Sequence, residues 1–215
     1  MSTIEDRASG ELREGYAEIG DQRLHYVEAG DGPLIVLLHG FPEFWYGWRE
    51  QIRPLAAAGF RVVAPDMRGY NLSSKPDGVA AYDVGQLTAD IRDLIRERGA
   101  ETAMLVGHDW GGSVAWATAM NHPEVVGRLA ILNAAHPRKL SQGLHHPGQL
   151  RKSWYFFFFQ TPGLPEAVVH ADHWALSVHR GDPGHEADVL VAGNTLAAAR
   201  ARAGAPTRRR SSCSP

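Results

Sequence analysis

Four short apolar runs, each closed by a turn, constrain this 215-residue chain more than any other feature. They read "PLIVLLHG", "GFRVVAPD", "TAMLVG" and "GRLAILN". Their apolar residues are continuous rather than alternating, the pattern of strands buried on both faces. Segments of helical period lie between them. Residues 44 to 58 form one; a second carries Leu87, Ile91, Leu94 and Ile95 on one face and ends at Gly99; a third carries Val114, Ala115 and Ala119. Upstream, Tyr16 to Ile19 and Arg23 to Glu28 flank "GDQ" and read as a hairpin. Strands alternating with helices predict the α/β class, with a mostly parallel sheet covered by helices on both faces.

Composition narrows the setting. Apolar content of 44% and charged content of 21% are those of a globular domain, and the length suffices for one sizeable core. A net charge of −2 and a pI near 6.6 give no general attraction for nucleic acid or an anionic membrane. The opening "MSTIEDRASGELREG" lacks the apolar region of a secretory leader, so none is expected. The longest apolar run, Trp154 to Phe159, is too short to span a bilayer. The single cysteine, Cys213, excludes an internal disulfide and fits a reducing compartment, so a cytoplasmic location is expected. The eleven histidines show no metal-ligand spacing, and His145-His146 beside a Pro-Gly turn reads as solvent-facing. Neither a metal nor a cofactor is expected.

The chemistry-bearing residues gather where the strands end. After the first apolar run stand His39-Gly40-Phe41-Pro42, after the second Asp66-Met67-Arg68-Gly69-Tyr70, and after the third Asp109. In open α/β sheets the carboxyl edge of the strands is where ligands bind. Residues 105 to 112, "LVGHDWGG", place small residues two before and two after Asp109. That spacing lets a strand reverse sharply into a helix with one side chain projecting from the apex, the arrangement of a nucleophile elbow with Asp in place of Ser.

Together "HGFPEFWYGWREQI", "DMRGYNLSSKP" and "VGHDWGG" resemble the α/β-hydrolase fold, and within it the epoxide hydrolases and their dehalogenase relatives. The resemblance runs from about Tyr16 to about Trp174. It implies the N-terminal portion of the hydrolase core followed by the start of a helical cap. An aspartate at the elbow suits a substrate without a carbonyl. The carboxylate displaces at sp³ carbon, and the resulting ester supplies the carbonyl that water then attacks. The resemblance assigns the oxyanion donors to the backbone N–H groups of Phe41 and Trp110. The partners it implies are a small-molecule epoxide and water.

Three relatives share such an elbow. Fluoroacetate dehalogenases usually carry Arg after the nucleophile, where this chain has Trp110. Haloalkane dehalogenases use a Trp there as a halide donor, but many take the second donor from an Asn where this chain has Phe41. Epoxide hydrolases accept Phe at that place and bind the epoxide oxygen with cap tyrosines. The stretch "SWYFFFFQTPGLPE" resembles their first cap helix, and Tyr155, five residues before Gln160, takes the place of the polarising tyrosine. Epoxide hydrolase is therefore the leading expectation, with a haloalkane dehalogenase-like hydrolase or a non-catalytic binding module as alternatives.

The expected organisation is a core over residues 1–136, a partial cap over 137–176 and a tail unlike the family, expected to be disordered, over 177–215. The family's catalytic histidine and its acid lie after the cap. One subgroup places the acid after the strand "GRLAILN", but Asn133, Ala134 and Ala135 follow here. After Trp174 the chain holds no aromatic residue and ends in a basic tail. Two further βα units need roughly 30 residues each, so His179, Asp182, His185 and Asp188 are not expected to form a triad. The excess of Arg over Lys fits an out-of-frame reading of GC-rich coding from near Leu176, the alternative being a genuine divergent tail. The expectation is a chain that is inactive in turnover.

Overall fold

Six strands form one sheet in the computed structural model, which describes residues 11–161. They are β1 (Arg13–Ile19), β2 (Gln22–Ala29), β3 (Leu34–Leu38), β4 (Arg61–Pro65), β5 (Ala103–His108) and β6 (Val126–Leu132), in the spatial order β1-β2-β4-β3-β5-β6. Strands β4, β3, β5 and β6 pair in parallel, and β2 runs antiparallel to both β1 and β4. The sheet is mostly parallel, as the alternation of strand and helix predicts.

The continuous apolar runs follow from burial on both faces. In β3, Val36 and Leu38 face a layer built with Leu87, Ile91, Leu94 and Val114. Their neighbours Ile35 and Leu37 face the opposite layer, with Trp48, Ile52 and Ala56. Alternate residues thus serve two cores, and no polar position remains between them. Each such fully buried aliphatic side chain contributes about 1.5–3 kcal/mol relative to exposure.

Three helices cover these faces: α1 (Arg49–Ala57), α2 (Val84–Glu97) and α3 (Trp110–Asn121). Residues 44 to 58 are not one α-helix, since a 3-10 turn over Trp45–Trp48 precedes α1. Helix α2 starts where the Asp83 side chain accepts the Gly85 N–H at 2.8 Å. It ends as expected at Gly99, whose φ of 75° lets the chain turn while its N–H caps the Arg96 carbonyl. Beyond β6 come α4 (Pro137–Gly143), α5 (Pro147–Lys152) and α6 (Trp154–Gln160).

The run "GRLAILN" departs from expectation. It forms β6, but none of its seven residues is buried, and Leu132 is 43% exposed. Strand β6 is the outermost strand among the described residues, so only β5 flanks it there. The adjoining β5 shares the effect in part, with Met104 and Val106 half-buried. The expected remainder of the cap, the boundary near Leu176 and the tail with His179, Asp182, His185 and Asp188 lie outside the described residues.

Candidate active site

The sheet brings three strand ends side by side, because β3 lies between β4 and β5. His39 follows β3, Asp66 follows β4, and Asp109 follows β5 and is the residue before α3. Asp109 has φ 50° and ψ −116°, a backbone region that costs a non-glycine residue of order 1–3 kcal/mol. Two backbone bonds hold it there. Its N–H donates to the Leu132 carbonyl at 3.1 Å, and its carbonyl accepts the Ser113 N–H at 3.2 Å.

The turn is possible only with glycine at its tightest contacts. A Cβ on Gly111 would stand 2.3 Å from the Leu38 carbonyl oxygen and 2.4 Å from that of His39. A Cβ on Gly107 would stand 2.5 Å from the Gly111 oxygen. The start of α3 therefore seats directly on the end of β3. The side chain of Asp109 comes up beside Gly40, where any Cβ would meet its own Cβ at 2.9 Å.

The Phe41 N–H donates to Asp109 Oδ1 at 3.0 Å. The peptide unit that carries this N–H also carries the Gly40 carbonyl, and in a trans peptide the two point in opposite directions. That carbonyl accepts the Glu43 N–H at 3.1 Å and lies 2.9 Å from His39 Nδ1. His39 is fully buried, and its Nε2 accepts the Met67 N–H at 3.0 Å. With Nε2 accepting, the ring proton sits on Nδ1 and is donated to Gly40. Burial lowers the His39 pKa and so favours this neutral form. Trp110, 40% exposed, opens α3, and its N–H belongs to the first turn, whose donors a helix does not pair internally.

Further groups surround the carboxylate. Tyr70 packs edge-on against the His39 ring at 4.7 Å, and its phenol is pushed up, first by burial and then by the negative charge of Asp109. His108 Nδ1 stands 3.6 Å from Glu43 Oε2, and Asn133 Nδ2 stands 3.5 Å from His108 Nε2. Helix α6 reaches this region through Phe159, whose ring meets that of Phe41 at 5.2 Å. Tyr155 precedes Phe159 by four residues and shares its face of α6. Arg68, by contrast, points away into a bidentate pair with Asp90 at 2.7 and 2.6 Å, and so ties the second strand-end loop to α2.

Of the residues expected from sequence, Asp109 and Phe41 stand in contact, Trp110 adjoins them, and Tyr155 stands on a helix that touches Phe41. His39 and Tyr70 are among the strand-end residues that the sequence singles out, but it assigns neither of them a role. The signal was their place just past a buried apolar run, His39 directly after it and Tyr70 in the turn that follows, but nothing local tells which partner such a residue meets. Among the described residues no group of three or more His, Cys, Asp or Glu side chains could hold a metal ion, and no helix is long and apolar enough to cross a membrane.

The chain is 52% identical over 154 residues to the AB hydrolase superfamily protein YfhM of Bacillus subtilis, covering 70% of this chain and 54% of that one. It is 46% identical over 160 residues to epoxide hydrolase 1 of Caenorhabditis elegans, covering 73% of this chain and 39% of the relative. A solved epoxide hydrolase from an endophytic Streptomyces superposes with a TM-score of 0.66 at 36% identity, over 74% of this chain and 49% of the other. The chain thus spans about half the length of the curated relatives it matches. The family model described as alpha/beta hydrolase fold matches residues 33–210, running past the change of composition at Leu176. With that match over most of its length, the chain belongs to the α/β hydrolase fold family.

Proposed function

We propose that this chain carries the ring-opening half of an epoxide hydrolase. The Asp109 carboxylate attacks a ring carbon, the carbon–oxygen bond of the epoxide breaks, and the ring oxygen takes a proton from a tyrosine hydroxyl, Tyr155 in this reading. An ester on Asp109 results. In the complete reaction water adds to the ester carbonyl, the oxyanion is held by the N–H groups of Phe41 and Trp110, and collapse releases the diol and the carboxylic acid, whose proton returns to the tyrosinate and so restores the carboxylate. The carrying observation is the Phe41 N–H aimed at Asp109 Oδ1 at 3.0 Å from a strained strand-to-helix turn. The names of the relatives support the substrate class, and the Phe159–Phe41 contact supports a cap helix above the site.

The second half needs a base for water, and general-base assistance contributes about 10²- to 10⁴-fold in rate. The sequence supplies no recognisable counterpart of the family's histidine and acid. The chain is therefore expected to stall as an adduct. Incubation of the purified chain with styrene oxide, followed by intact mass and diol measurement, tests this. The expected result is a mass increase of one epoxide, absent in Asp109→Ala, and no more than one equivalent of diol. Sustained diol release would overturn the stalled half. Its loss in His108→Ala would then identify His108, paired with Glu43, as the base. An unmodified mass after long incubation would overturn the epoxide reading itself.

A further inference from the structure

Asp66 lies at the end of β4, away from the contact between Phe41 and Asp109, and is fully buried. Its carboxylate accepts from three segments at once. Oδ1 takes the Trp45 N–H at 3.0 Å, and Oδ2 takes the Asn71 side-chain amide at 2.9 Å. His25 Nδ1, on β2, stands 2.8 Å from the same Oδ2. Ser73 closes the circle, donating its hydroxyl to the Asp66 carbonyl at 2.6 Å while accepting the His25 N–H at 2.9 Å.

Two of these segments frame the candidate active site. Trp45 belongs to the loop that begins at Gly40 and carries the Phe41 N–H to Asp109. Asn71 and Ser73 belong to the turn whose Met67 N–H anchors His39 and whose Tyr70 ring packs on His39. Both loops therefore hang from one carboxylate. We propose that Asp66, paired with His25, is a positioning residue for the reaction at Asp109, setting the 40–48 loop and the 67–74 turn together so that the Phe41 N–H stays aimed at the nucleophile. This rests on the reading of Asp109 as that nucleophile, but its geometry can be tested without any reaction.

His25 also makes the pair sensitive to protonation. It is 1% exposed, and its Nε2 is buried without a hydrogen-bond partner among the described residues. The groups facing it are Asp66 from the end of β4, Glu14 from β1 with Oε2 3.6 Å from Nε2, and the Tyr16 ring at 5.2 Å, over which Arg23 stacks. A proton added at Nε2 would thus place a charged ring between two carboxylates, Glu14 at Nε2 and Asp66 at Nδ1, and the bond to Asp66 would become one between full charges.

The test follows the backbone amides of the whole chain by NMR in Asp66→Asn and His25→Gln. In Asp66→Asn the amide side chain cannot accept at both positions, so one loop loses its anchor. Hydrogen exchange at Phe41 N–H is expected to rise at least about tenfold, the weight of one hydrogen bond to a charged group, while β3 and β5 amides stay protected. In the unmodified chain the Phe41 amide shift is expected to titrate with the His25 ring, and to stop doing so in His25→Gln, which keeps a donor for Asp66. Faster exchange at Trp45 with no change at Phe41 would overturn the proposal, leaving Asp66 a local cap. Should Asp66→Asn unfold, the His25→Gln titration decides alone, and a Phe41 titration that survives it overturns the coupling. Styrene oxide adduct formation is followed in parallel. If no variant and no parent chain forms the adduct, the reading of Asp109 fails, while the amide measurements still decide the role of Asp66.

Discussion

The Phe41 N–H meets Asp109 Oδ1 at 3.0 Å across 68 residues of sequence. The other end of the same peptide, the Gly40 carbonyl, is held by the His39 ring and the Glu43 N–H. In the reaction proposed for Asp109, a donor aimed in this way needs no rearrangement when charge develops on the oxygen. The His39 ring thus holds the peptide whose N–H meets Asp109.

His39→Ala removes both bonds of the buried ring and leaves a cavity beneath the loop. It is expected to cost about 3 kcal/mol of stability, combining the void with an unpaired Met67 N–H. Denaturant unfolding of the variant beside the parent chain checks this. A loss under about 1 kcal/mol would mean that the loop holds itself.

Asp109 is strained whatever its chemistry. Glycine adopts its φ of 50° freely and alanine does not, so Asp109→Gly is expected to be more stable than Asp109→Ala by about 1 kcal/mol. Both variants should fail to form the adduct. Equal melting temperatures for the two would remove the claim of backbone strain.

Gly111→Ala drives a methyl group to 2.3 Å from the Leu38 oxygen, and neither backbone can yield without moving α3 off β3. A loss of at least about 3 kcal/mol is expected, since this exceeds ordinary overpacking. Gly148→Ala is the control. It lies in α5 with nothing within 4 Å of the added carbon, and replacing a helical glycine there gains up to about 1 kcal/mol. Circular dichroism melts of both variants decide the matter.

Two buried histidines make stability depend on pH in opposite senses. Burial lowers the His39 pKa, so the unfolded chain binds the proton more readily, and stability is lost as pH falls below about 6.5 through the folded value. For His25, burial alone would lower the pKa, but the hydrogen bond and charge of Asp66, with the charge of Glu14, raise it. Its contribution is complete below about 6.5 and is lost as pH rises through the folded value. Melting temperature against pH should therefore fall on both sides of about 6.5. His25→Gln should flatten the alkaline side and His39→Gln the acid side. A swap of the two effects would contradict the assigned protonation states.

The sequence by itself determined the strands, the helix that ends at Gly99 and the sharp turn at Asp109. These are local matters. Continuous apolar residues report burial on both faces, and small residues at 107, 111 and 112 report backbone approach, so periodicity and steric size carry the message within a few residues. Only the tertiary structure decided which polar groups meet. That Phe41 faces Asp109 depends on β3 lying beside β5, that His39 is neutral with its proton on Nδ1 depends on β3 lying beside β4, and that Asp66 joins His25 depends on β2 pairing with β4. That order brings together residues tens of positions apart. The exposure of β6 is of the same kind, because its apolar pattern matches that of a buried strand and only the absence of a second neighbour among the described residues distinguishes it. A backbone N–H or an imidazole can pair with many acceptors, and nothing in its own neighbourhood of the chain selects among them.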